Sequence, residues 1–171
     1  MRLSPKFIAR TALFIALGII TPIVFHQFGL GGRIFLPMHI PVLLAGSICG
    51  ISSGLLVGII CPGLSFLLTG MPPSYAVPLM TAELGFIGIT AGLIFHKFKL
   101  NIYFALIVAL IVGRLGFALA LLGLSLFLDM PYGLPEYFGG AVITGLPGIA
   151  IQLIIIPPIV AAIKRRDKNK Y

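Results

Sequence analysis

The run IFLPMHIPVLLAGSICGISSGLLVGIICPGLSFLL, residues 34–68, contains no Asp, Glu, Lys or Arg, and its reading decides the architecture. As one helix rising 1.5 Å per residue it would be roughly 50 Å long, too long for one crossing of a bilayer core of roughly 30 Å. The run therefore has to fold back inside the membrane. Glycines and serines allow a tight reversal at Gly50-Ile51-Ser52-Ser53-Gly54. This predicts two short helices, Met38–Cys49 and Ser53–Leu68. Both lie near the lower limit for a crossing, which leaves room for one to be only partly inserted.

Apolar segments extend outward on both sides. Phe7–Phe25 precedes the run, and Ala76–Phe95, Ile102–Leu128 and Phe138–Ile163 follow it. The proline-rich stretch Gly70-Met71-Pro72-Pro73-Ser74-Tyr75 is a turn, and Asp129–Glu136 is a polar loop. The first segment follows a basic start, but it is too long for a signal-peptide core and no small-x-small cleavage site follows it. The expectation is an all-α membrane protein, a single domain over residues 1–171 with six transmembrane helices.

Composition agrees. Of the 171 residues 59% are hydrophobic and 9% charged, with a mean hydropathy of +1.15. A soluble domain carries about 25% charged residues, so lipid has to cover much of this surface and a soluble enzyme is excluded. The net charge of +8 sits at helix flanks: Arg2, Lys6 and Arg10 at one end, Lys164, Arg165, Arg166, Lys168 and Lys170 at the other, and Lys97 and Lys99 in one short connection. Positive residues at such positions hold loops on the cytoplasmic side. Six crossings put both termini and the Lys97/Lys99 connection there together. That distribution argues against nucleic acid as a partner. The C-terminal run reads as a stop-transfer flank, with anionic lipid as its other use. Arg33, in the first outer loop, breaks the pattern and needs a reason.

Glycine pairs spaced for close helix contact recur at Gly46/Gly50, Gly54/Gly58 and Gly88/Gly92, and internal packing is their expected use. Ala12 and Ala16, with Ala9 near them, form a similar stripe on the first segment. Cys49 and Cys61 have neither metal-ligand nor redox spacing.

Two ionisable residues fall well inside apolar segments, Glu83 and Arg114. Intramembrane charges face protein or water, so the two either pair to fix helix register or line a ligand pocket in the outer half. His39 and Arg33 flank Pro37 on the outer side, and Tyr75 and Tyr132 lie in outer loops, where aromatic belts also occur. Gln152, mid-helix, serves either a neighbouring helix or a ligand. The scattered histidines make no metal site. There is no phosphate-binding loop, H-E-x-x-H or nucleophile elbow, so no catalytic residue and no cofactor is assigned.

The stretch Leu36-Pro37-Met38-His39-Ile40-Pro41-Val42-Leu43-Leu44-Ala45-Gly46, continued by Gly54–Gly58 and Leu67-Leu68-Thr69-Gly70-Met71-Pro72-Pro73, resembles the substrate-binding S-components of energy-coupling factor (ECF) vitamin transporters. The length, helix count and basic ends resemble them too. The resemblance implies a multi-pass protein of a prokaryotic cell membrane. Such a protein captures a vitamin from outside, in a pocket among the outer halves of the last three helices capped by loops such as His26–Phe35. It also implies partners, a transmembrane scaffold subunit and two ATPases, docked on a face that Ala9, Ala12 and Ala16 match. Pantothenate is the first expectation, its carboxylate suited to Arg114 or Arg33. Glu83, unless neutralised by Arg114, points instead to a pyrimidine, pyridine or ribazole-type compound. An ion-coupled secondary transporter using Glu83, or an assembly factor, are the readings from other classes.

Overall fold

The computed structural model describes residues 4–27, 32–128, 133–136 and 143–168, and every regular element among them is helical. These are α1 (Pro5–Gln27), the single turn α2 (Gly32–Phe35), α3 (His39–Cys49), α4 (Ile51–Thr69), α5 (Ala76–Ala91), α6 (Ile102–Ser125), the turn α7 (Leu134–Glu136) and α8 (Leu146–Lys168). A π-helical turn, Gly92–Lys97, carries α5 on to its end. Prolines mark several starts. Pro41, Pro78 and Pro147 each fall in a first helical turn, where the missing N–H has no intrahelical partner to lose. Pro22, Pro62 and the pair Pro157-Pro158 lie inside helices that continue through them.

Among the described residues five helices are long and apolar enough to cross a membrane: α1, α4, α5 with its π turn, α6 and α8. The 11-residue α3 is about 16 Å long, half the thickness of the hydrocarbon core. The expected six crossings thus appear as five full-length helices and one short one. The reversal between α3 and α4 is also tighter than its sequence suggests. It occurs at Gly50 alone, at φ 92°, in the left-handed region that glycine enters freely. Ser52, Ser53 and Gly54 belong to α4 instead. Ser53 is buried, with its hydroxyl 2.9 Å from that of Thr11 on α1. The fifth predicted segment stops early, at Ser125, and the sixth begins as α8 at Leu146; residues 138–142, placed in it by sequence, lie outside the described residues.

Glycines hold the centre. Gly46 of α3 and Gly54 of α4 both face Gly88 of α5, Gly58 faces the Leu84 carbonyl, and Gly92 faces the backbone of Ile51. A Cβ at Gly46 would sit 2.6 Å from the Gly88 carbonyl oxygen, and one at Gly92 2.6 Å from Ile51 N. In lipid, where apolar burial between helices gives no drive, this backbone approach supplies the dispersion contacts that hold helices together. Around the seam Val42, Leu43, Ala45, Val57, Leu84 and Ile87 are fully enclosed. Leu67, Leu119, Leu126 and Ile154 face outward, as a lipid-covered surface allows.

The paired positions give the helix directions. Gly54 with Gly88 and Gly58 with Leu84 make α4 antiparallel to α5. His39 with Glu83 and Gly46 with Gly88 make α3 parallel to it. Thr11 with Ser53 and Gly18 with Cys61 set α1 parallel to α4. Lys164 of α8 lies 3.8 Å over the Phe95 ring, while Gln152 meets Leu36 just before α3. The start of α1, the Gly50 turn, the π turn and the end of α8 therefore share one end of the bundle. Lys6, Arg10, Lys97, Lys99, Lys164 and Arg165 all belong to that end.

Substituting Gly88→Ala should destabilise the protein by about 1–3 kcal/mol or more, because the added methyl meets the Gly54 backbone. Gly63→Ala, with nothing within 4 Å of the added carbon, should leave the detergent-solubilised unfolding temperature unchanged or raised. Equal effects at the two positions would mean that the seam is not what holds α4 to α5.

Candidate functional site

A carboxylate inside an apolar bundle needs opposite charge and hydrogen-bond donors around it. Glu83 of α5 is 3% exposed, and two helices supply what it needs. The Arg114 guanidinium on α6 donates from Nη1 to Glu83 Oε1 at 2.8 Å. His39, the first residue of α3, lies with Nε2 3.3 Å from the same oxygen. The backbone explains how α6 comes so close. A Cβ at Gly113 would be 3.2 Å from the Glu83 carbonyl oxygen, and Gly116 faces the Phe86 ring. The two glycines beside Arg114 thus let α6 lie against α5 at the level of the carboxylate.

His39 is held from two sides. Its ring meets a carboxylate, which only accepts, so Nε2 carries the hydrogen and Nδ1 is the acceptor in the neutral ring. Its backbone N–H donates to the Leu36 carbonyl at 3.1 Å. Leu36 adopts a left-handed φ of 48°, uncommon for a residue with a Cβ. Gln152 of α8, fully buried, donates from Nε2 to the same Leu36 oxygen at 3.4 Å. Gly148, one turn earlier on α8, packs against the carbonyls of Ile34 and Phe35. The entrance to α3 is thus clamped by α8, and the clamp aims His39 at Glu83. The Nδ1 atom of His39 and the Oε1 atom of Gln152 are buried and meet no hydrogen-bond partner among the described residues.

Four of the seven substrate-site candidates therefore fall together: His39, Glu83 and Arg114 share one carboxylate oxygen, and Gln152 joins them through Leu36. Glu83 and Arg114 pair, which neutralises both, and His39, at the entrance to α3, meets the same carboxylate. Tyr75 caps the start of α5, 36% exposed, above the cluster. The Arg33 side chain and all of Tyr132 lie outside the described residues. Ala9, Ala12 and Ala16 are exposed on α1, on the face opposite the buried Thr11, Phe14 and Gly18. The Leu36 carbonyl and the helix-spacing roles of Gly113, Gly116 and Gly148 escape a reading by residue type. A backbone oxygen has no letter in the sequence, and only Pro37 hinted that the chain before α3 is irregular.

A polytopic α-helical membrane protein with a charge-balanced cluster where α3, α5 and α6 meet is the class this arrangement defines. Comparison with protein families is more specific: the family described as ECF transporter, substrate-specific component, matches residues 6–160. The match spans nearly the whole chain, and the protein belongs to that family. It is thus a substrate-binding component of an ECF transporter, a family of transport components and not of enzymes, whose members work with ECF scaffold and ATPase modules. No curated protein and no solved structure matches the chain.

Removing one partner of a buried ion pair leaves the other charge uncompensated. Arg114→Met should therefore lower stability by about 3–5 kcal/mol. The double variant Glu83→Gln/Arg114→Met should recover most of that loss. A thermodynamic cycle over the two single variants and the double measures the coupling. Additive losses would show that the pair does not set the packing of α5 against α6.

Proposed function

We propose that this chain captures a small water-soluble vitamin or vitamin precursor on the outer side of a prokaryotic cell membrane, with pantothenate the first candidate, and passes it to a separate scaffold driven by two ATPases. The observation that carries this reading is the charge-balanced His39–Glu83–Arg114 cluster, away from the basic end of the bundle. With positive residues on the cytoplasmic side, the basic end and both termini face the cytoplasm and the cluster lies toward the outside. Family membership supports capture. The closure of Glu83 onto Arg114 supports capture over ion-coupled transport, since a carrier acid must exchange its ion freely. The pantothenate assignment rests on the family resemblance, and Tyr75, Arg33 and Tyr132 are proposed as the rim and cap of the same site.

The alanine face of α1 is proposed as the surface that meets the scaffold. Ala9, Ala12 and Ala16 point away from the bundle, and small residues there let a partner helix approach closely.

Titration of the purified protein in detergent against pantothenate, pyridoxine and thiamine precursors, niacin, folate, biotin, riboflavin and ribazole should find one compound that binds without ATP or partners. Absence of binding across that panel would overturn the capture reading. Ala12→Leu/Ala16→Leu should bind the same compound unchanged while whole-cell uptake disappears. Normal uptake would remove the α1 face as a docking surface.

A further inference from the structure

The basic end of the bundle is held by an aromatic contact. Lys164 of α8 lies with Nζ 3.8 Å from the centre of the Phe95 ring, and Phe95 belongs to the π turn that closes α5. That contact sets the last turns of α8 against the connection that carries Lys97 and Lys99. Lys97 Nζ lies 5.8 Å from the Phe98 ring in the same connection. Backbone bonds fix its shape: Phe98 N–H donates to the Leu93 carbonyl at 3.0 Å and Leu100 N–H to the Ile94 carbonyl at 3.2 Å, with Lys99 between them at a left-handed φ of 55°. Lys97, Lys99, Lys164 and Arg165 are all exposed. The described carboxylates lie elsewhere, Glu83 inside the bundle and Glu136 in α7 beyond the far end of α6. The sequence adds one acid at the basic end, Asp167, between Arg166 and Lys168. Like charges gathered on one surface repel each other and attract counter-charge.

We infer that this surface binds the head group of an anionic phospholipid in the cytoplasmic leaflet, its phosphate drawn to Lys97, Lys99, Lys164 and Arg165. Cations that only fix which way a loop faces have no need to converge. Here cations from two separate parts of the chain do converge, because the Phe95 ring holds Lys164 beside the π turn. The apolar surroundings choose the partner. Phe98 in the connection and Tyr103 and Phe104 in the first turn of α6 are 57%, 52% and 53% exposed. A soluble anion would engage the cations alone, and an acidic protein surface would match the charge but not the rings. A phospholipid meets the cations with its head group and the rings with its acyl chains. Its phosphate would tie the end of α8 to the end of α5 and offset the repulsion between their cations. The surface lies at the opposite end of the bundle from Glu83, and the inference stands whichever compound is captured there.

The test is binding and thermal unfolding of the purified full-length protein in a zwitterionic detergent. It is titrated with short-chain phosphatidylglycerol, with phosphatidylcholine of the same chains, and with inorganic phosphate. Phosphatidylglycerol should bind at least about tenfold more tightly than phosphatidylcholine and raise the unfolding temperature, and inorganic phosphate should not raise it. Each Lys or Arg near an anionic lipid surface contributes about fivefold. Lys97→Gln/Lys164→Gln should therefore weaken phosphatidylglycerol binding about twentyfold, with the lipid-free unfolding temperature unchanged or higher. Where that variant is unstable, the wild-type protein at rising NaCl replaces it, and its preference for phosphatidylglycerol should fall as the salt screens the charges. Equal affinity for the two lipids, or a preference that neither the double variant nor salt reduces, overturns the inference. Equal stabilisation by inorganic phosphate also overturns it and assigns the surface to a soluble anion. No preference for phosphatidylglycerol, with whole-cell uptake lost in the double variant, overturns it in favour of an acidic face on a partner subunit.

Discussion

A single carboxylate oxygen, Glu83 Oε1, governs how the upper half of this bundle is put together. The hydrocarbon core has no water to share the charge, so its compensation has to come from neighbouring helices at the same depth. Arg114 supplies charge from α6, and His39 supplies a donor from the start of α3. Sliding either helix by one turn would move its partner group about 5.4 Å away and leave the charge unmet. Register between α3, α5 and α6 is therefore specified electrostatically, in a medium where apolar side chains alone discriminate poorly between registers.

That oxygen is reachable only because the backbones are close. The seam of Gly46, Gly54, Gly58, Gly88 and Gly92 brings α3, α4 and α5 into backbone contact, and Gly113 and Gly116 make room on α6 for the Ile87 and Phe86 side chains of α5. The two devices divide the work: glycines set separation, and the ionic cluster sets register. At the basic end, the Gly50 reversal lies beside His96 in the π turn that closes α5. The short α3 therefore connects the clamped Leu36 region to the end of the bundle where the positive residues gather. The outer surface has no such constraint. It is covered by Leu, Ile and Phe side chains facing lipid, interrupted on α1 by the alanine stripe.

Much of this was legible in one dimension. The scarcity of charge, the length of the apolar runs and the grouping of Lys and Arg at segment ends require a polytopic helical membrane protein, because each reflects a transfer free energy that acts on residues wherever they pack. The isolation of Glu83 and Arg114 in apolar sequence marked them for the same reason, and the glycine spacing announced close packing. The six crossings read from segment lengths became five long helices and a short α3, because whether a marginal apolar helix spans depends on the neighbours that bury it, and length alone does not say.

What only the tertiary structure decided is which groups meet. That Glu83 takes Arg114 and His39 together, that Gln152 reaches the Leu36 carbonyl, and that the chain reverses on Gly50 alone are facts about residues separated by tens of positions, or about backbone atoms that no side-chain letter records. Sequence determines the solvent each segment must occupy, since hydropathy is a property of residues taken one at a time. Pairing is a property of positions taken together, and it exists only once the helices have been brought into register.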